Sequence, residues 1–127
     1  MGARRSPLER LEDMLVSIDE ALTVVAKAKN LTTYKKGLIL RRALEHCLQN
    51  VSEAARHVPR SWTDPTESDD VPWEDIRGIS DVLRHEYMNV RDEIIFKAAR
   101  DYLRPLRKAI VSIKGMQSRR KAVKERR

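Results

Sequence analysis

Residues 6–30 read SPLERLEDMLVSIDEALTVVAKAKN, and their spacing decides the fold class. Ser6-Pro7-Leu8-Glu9 sets a capping hydroxyl, a proline at the first helical position and a capping-box glutamate in order. Leu8, Leu11, Leu15, Ile18, Leu22 and Val25 then recur at steps of three and four, the seam of an amphipathic helix. That helix should end near Asn30, a residue that tolerates the left-handed conformation. A second seam follows in Leu40, Leu44, Cys47, Leu48, Val51, Ala54, Ala55 and Val58. It predicts a helix from near Thr33 to about Val58, stopped by Pro59. Two long helices with a short link pack antiparallel, so the chain is expected to be all-α.

Downstream, Pro59 to Pro72 is polar, acidic and interrupted by prolines, and reads as a loop. A third helix is expected from Trp73 to near Asn89. A fourth should begin near Arg91, with Ile94, Ile95, Ala98 and Tyr102 facing inwards. Pro105 should break or kink it and leave a short last helix through about Ile113. No strand-like alternation and no internal repeat is visible. The expected architecture is an antiparallel bundle of four to five helices over 6–114, followed by a flexible basic tail, 115–127.

Composition narrows the function classes. The 127 residues are 41% hydrophobic and 35% charged, which suits one helical domain rather than a disordered chain. Cys47 has no second cysteine to pair with, so no intrachain disulfide forms, and its place in the seam makes it core filling. No uncharged run approaches the ~18 residues of a membrane span, and no apolar signal core opens the chain, so a cytoplasmic protein without a membrane partner is expected. The formal charge is +7, of which residues 118–127 carry +5. Arg119, Arg120 and Lys121 are therefore candidate contacts to nucleic acid phosphates, against the plain alternative of a solvated end. Between Thr63 and Ile76 the bias reverses, with Asp64, Glu67, Asp69, Asp70, Glu74 and Asp75. Such a run repels RNA.

No phosphate-binding glycine loop, zinc constellation or serine elbow is present, and His46 and His57 lack ligand-spaced companions. Neither a metal nor a cofactor is expected. The third helix, Trp73 to Asn89, holds the chemistry. At about 100° per residue, Ile76, Ile79, Leu83 and Tyr87 mark a core face, and His85 falls about 180° from Ile76. An outward histidine is either an ordinary surface residue or one facing a cleft or a second subunit. Asp81 lies one turn earlier on the same side, where it could orient the imidazole, and Gly78 leaves room for close approach.

Pro72-Trp73-Glu74-Asp75-Ile76, Asp81-Val82-Leu83-Arg84-His85-Glu86-Tyr87, Val90 and Glu93-Ile94-Ile95 together resemble the HepT-like toxins of the HEPN superfamily. Arg42-Ala43-Leu44-Glu45, Asn50-Val51-Ser52-Glu53-Ala54 and the Leu103-Arg104-Pro105-Leu106 break extend the resemblance over roughly Leu8 to Ile113. It implies a homodimeric helical bundle whose two histidine motifs form an RNA-cleaving cleft without metal. It also implies a minimal nucleotidyltransferase antitoxin that adenylylates the tyrosine at Tyr87, for which the plain alternative is a ring at the edge of the core. The chemistry agrees. Cleaving RNA through its own 2′-hydroxyl needs a base that titrates near neutrality, as imidazole does, and a fixed cation against the growing phosphate charge.

One position departs from the family pattern. Ser80 stands five residues before His85, where the motif has arginine, and a hydroxyl cannot replace a guanidinium. Arg84 lies one turn after Ser80 and leans back towards it, so it is the provisional phosphate cation, unless it only pairs with Asp81. Arg77, a weaker phosphate candidate, points away from Ser80. Two main readings follow. In the first, an endoribonuclease uses His85 as base or acid, Arg84 as cation and Asp81 as orienter. In the second, a cleavage-dead HEPN module binds a nucleotidyltransferase, a nucleotide or RNA. A blander third option is a helical adaptor that holds nucleic acid through its basic tail alone.

Overall fold

The structure, a computed structural model, describes residues 4–85 and 90–126. The chain folds as an all-α bundle, with no strand among the described residues. Helix α1 spans Pro7–Ala28 and begins with the expected capping box. The Glu9 amide donates to Ser6 Oγ at 3.2 Å, and the Ser6 amide donates to Glu9 Oε1 at 2.9 Å. Its Leu11, Met14, Ile18 and Ala21 are fully buried. Each large apolar side chain so buried stabilises the fold by roughly 1.5–3 kcal/mol.

The end of α1 differs from expectation. Lys29, not Asn30, takes the left-handed backbone, with φ 70°. Asn30 is extended and instead caps the next helix, α2 (Leu31–Lys36), its Oδ1 accepting from the Thr33 amide at 2.9 Å. The long second helix is therefore two. Gly37 interrupts it in an extended conformation, and α3 runs over Leu38–Ala55. Glycine is the cheapest residue at which to leave a helix. The break turns Tyr34 into the core, where its ring lies 5.0 Å from that of Phe96.

The segment expected as loop carries a one-turn helix α4 (Arg60–Thr63) and a 3-10 turn over Asp64–Thr66. Thr63 and Val71 are buried, so this segment is part of the core wall. Helix α5 spans Trp73–His85 and packs on α3.

Helix α6 spans Val90–Glu125, and here expectations are corrected, since Ile94 and Tyr102, expected to face inwards, are exposed. Pro105 does not end the helix, and the helix does not stop near Ile113. Leu103, Leu106, Ile110 and Ile113 stand at helical spacing on both sides of the proline, all buried, with α1 packed along α6. Their burial outweighs the ~3 kcal/mol that an interior proline costs. Arg107 on Asp19 (2.7 Å) and Lys114 on Glu12 (3.1 Å) tie the helices further. Residues 115–125, expected as a flexible tail, continue the same helix, with Arg119, Arg120 and Lys121 exposed. Basic side chains near its C-terminus also suit the helix dipole. Among the described residues no helix is long and apolar enough to cross a membrane.

Replacing the proline isolates its cost. Pro105→Ala restores an N–H donor towards the Asp101 carbonyl and removes the ring clash. The urea midpoint should rise, by an equivalent of about 1–2 kcal/mol. A lower midpoint would show that the bundle depends on the proline ring itself.

Candidate functional site

The start of α5 is locked to the segment before it. The Trp73 amide donates to Glu67 Oε2 at 3.2 Å, and its indole donates to Thr66 Oγ1 at 2.8 Å, with the ring fully buried. Arg77 lies one turn on and turns inward. Its guanidinium sits 5.7 Å from the centre of the Trp73 ring and donates to Thr63 Oγ1 at 2.8 Å. Burial, then the nearby Arg60 cation, pushes the Arg77 pKa down, against the carboxylates of Glu74, Asp64 and Glu67. Arg77 thus pins α5 to the preceding segment rather than reaching into solvent.

The next turn docks on α3 through a single hydroxyl. Ser52 Oγ donates to the Arg77 carbonyl at 2.9 Å and accepts from the Ser80 amide at 3.1 Å. Ser80 is 1% exposed, and its own Oγ has no hydrogen-bond partner among the described residues. The inward face of α5 is accordingly Trp73, Ile76, Arg77 and Ser80. This widens the face expected from Ile76, Ile79 and Leu83, because α3 also draws in the small Ser80. Ile79 and Leu83 are half-buried, and with Ile94 and Tyr102 they line an apolar groove of about 400 Å³ between α5 and α6.

The polar side of α5 gathers charge. Asp81 accepts from two guanidinium groups, Arg84 Nη2 on Oδ1 at 2.5 Å and Arg56 Nη2 on Oδ2 at 3.0 Å. Arg56, at the end of α3, also donates through Nε to the Arg77 carbonyl at 3.0 Å. The Arg84 hydrogen bond, then that of Arg56, holds the Asp81 carboxyl below the usual carboxylate range. Arg60 pairs with Glu74 beside them. Gly78 lies open, since a Cβ built there would meet no atom within 4 Å.

Of the residues singled out by sequence, Ser80, Asp81 and Arg84 share one stretch of α5, which ends at His85. The side chain of His85 and the whole of Tyr87 lie outside the described residues. Arg119, Arg120 and Lys121 stand on the exposed end of α6, a separate element from this cluster. Arg56 was not foreseen. It lies four residues after Ser52, hence on the same face of the chain's third helix, but nothing local signals that it reaches α5.

The model of the HepT-like ribonuclease family (Ribonuclease HepT-like) matches residues 8–113. The chain belongs to the HepT-like ribonuclease family. This HepT-like chain is also 28% identical over 109 residues to a protein of Caldanaerobacter subterraneus subsp. tengcongensis named "Putative RNase TTE0752". The match covers 86% of this chain and 95% of that relative. No solved structure gives a significant match.

Two measurements follow for this HepT-like site. Ser80→Ala removes a buried hydroxyl without a partner and should leave stability unchanged or raise it by about 1 kcal/mol, whereas Ser80→Arg forces a charge into the α3–α5 seam and should lower it by roughly 2–4 kcal/mol. Urea midpoints decide, and a destabilised alanine variant would show that the hydroxyl is used. Because the folded pKa of Asp81 is depressed, its contribution is present above the unfolded carboxylate pKa and is lost as pH falls through the folded one. The clamp on Arg56 and Arg84 should therefore persist through the neutral range and open only on acidification below the ordinary carboxylate range. NMR titration of the Asp81 side-chain carbon reads this directly, and a midpoint near neutrality would overturn it.

Proposed function

We propose that this HepT-like chain is a metal-independent endoribonuclease that cleaves single-stranded RNA as a homodimer, at a cleft where the two α5 ends meet. Tyr87 would be the site at which a minimal nucleotidyltransferase antitoxin attaches an adenylyl group. The observation that carries the reading is the Asp81 clamp, which gathers two guanidinium groups one turn before His85 on the same helix. Family membership supports the RNA substrate.

In this mechanism His85 takes the proton from the ribose 2′-hydroxyl. The 2′-oxygen attacks phosphorus, the bond from phosphorus to the 5′-oxygen breaks, and that oxygen leaves with the proton that His85 took up. The products are a 2′,3′-cyclic phosphate and a 5′-hydroxyl, with no water consumed. Charge grows on the phosphate oxygens during the step, and a guanidinium held beside them lowers the barrier because its position is set before the reaction. Adenylylated Tyr87 would put an anion near the cleft and exclude RNA by bulk and repulsion. The groove between α5 and α6, with Val82, Ile94 and Tyr102 exposed, supports dimerisation by leaving apolar surface for a second copy. Arg119, Arg120 and Lys121 would add attraction for the RNA backbone.

The second reading, a non-cleaving module that binds a nucleotidyltransferase, a nucleotide or RNA, is favoured by the burial of Ser80. That position offers no cation, and Arg84 is already engaged by Asp81. Labelled single-stranded RNA in excess EDTA separates the two. The parent should cleave it, and His85→Ala should be slower by about 100-fold or more. RNA binding without cleavage by either protein would select the second reading.

A further inference from the structure

Two exposed arginines meet at Asp81, and they are not equivalent. Arg84 is held at one point, has its side chain 56% exposed and belongs to the same helix as its partner. A long side chain fixed at one end loses rotamer freedom when a ligand immobilises it. Arg56 comes from α3 and crosses to α5, where it is held at two points, Nε on the Arg77 carbonyl and Nη2 on Asp81. Its side chain is 34% exposed. The two anchors belong to residues on either side of Ser80, so the guanidinium lies across the surface of α5 at the level of that residue. Ser80 itself is buried, its amide donating to Ser52 Oγ, one turn before Arg56 on α3.

We infer that Arg56 is the guanidinium that holds the scissile phosphate of RNA, an inference that rests on the cleavage reading above. A guanidinium has five N–H donors, and the two described partners take one each, leaving three for an incoming anion. Arg56 lines a cleft of about 290 Å³ together with Gly78, Asp81, Arg60 and Glu74. No side chain at Gly78 narrows it. Each carboxylate there is already matched, Glu74 by Arg60 and Asp81 by Arg84 as well as Arg56. Arg56 is therefore free to turn its outer edge to a phosphate without leaving a bare negative charge behind. Both anchors set the group in place before RNA arrives, the arrangement that stabilises growing charge at least reorganisation.

The test compares the full-length parent, Arg56→Gln, Arg56→Lys and Arg84→Gln in single-turnover cleavage in EDTA, with urea midpoints confirming that each variant is folded. Arg56→Gln should lose about 100-fold, and millimolar guanidinium ion should restore part of it, a rescue that a merely structural role would not give. Arg56→Lys should recover little, since an ammonium cannot span both anchors, and Arg84→Gln should lose less than Arg56→Gln. If Arg56→Gln does not fold, the Arg56→Lys loss carries the test. Cleavage by a folded Arg56 variant within about threefold of the parent overturns the inference and leaves the cleavage reading intact. If the parent itself fails to cleave, that reading falls, and an uncleavable 2′-O-methyl oligonucleotide decides the role of Arg56. About fivefold weaker binding by Arg56→Gln, with a salt slope lower by about one, would support a phosphate contact, and equal binding would overturn it.

Discussion

The Ser52 hydroxyl on α5 is the contact on which the candidate site depends. It donates to one α5 carbonyl and accepts from an α5 amide three residues further on, so it grips the backbone rather than a side chain. A grip of that kind sets both the depth and the rotation of α5. With Ser80 and Arg77 turned in, Asp81 and Arg84 must face water, and so the charged cluster is a consequence of helix docking. A fully buried serine makes this economical, because one hydroxyl satisfies two backbone groups at an apolar seam.

Around that seam the arginines divide by burial. Arg77 is 8% exposed and is satisfied by Thr63 and the Trp73 ring, which makes it a structural cation. Arg56, Arg60 and Arg84 pair with carboxylates at the surface. Exposed pairs of this type add little to stability, typically under ~1 kcal/mol each. The acidic stretch at 63–76, which alone would repel RNA, is met at the surface by Arg60 on Glu74, so charge read along the chain misstates charge read across the surface.

Helix α6 illustrates a different balance. Sequence rules treat Pro105 as a breaker because it loses an N–H and crowds the preceding turn. Four buried aliphatic side chains flanking it supply more than that cost, and the helix continues into a basic extension beyond the core. Gly37 shows the reverse. Little but backbone freedom marks it, and there the helix does break, because the break lets Tyr34 reach Phe96.

Periodicity and caps were legible in the residues themselves. The Ser6 capping box, the α1 seam, the burial of Cys47 and the all-α class follow from interactions spanning four residues or fewer, which sequence spacing encodes directly. The motif around His85 was legible as a family pattern because its residues are contiguous in the chain. What sequence could not supply was the rotation of α5 and the identity of its neighbours. The hydrophobic wheel placed the core face on Ile76, Ile79, Leu83 and Tyr87. Ile76 is buried and Ile79 and Leu83 pack against the core, but Arg77 and Ser80, which the wheel left out, are buried as well because α3 and the preceding segment offer them polar partners. Arg56 is the clearest case. It is separated from Arg77 and Asp81 by more than twenty residues, and only the crossing of α3 over α5 brings its guanidinium to them. Local geometry is written in local sequence, while the partner of a charged side chain is decided by which helices meet.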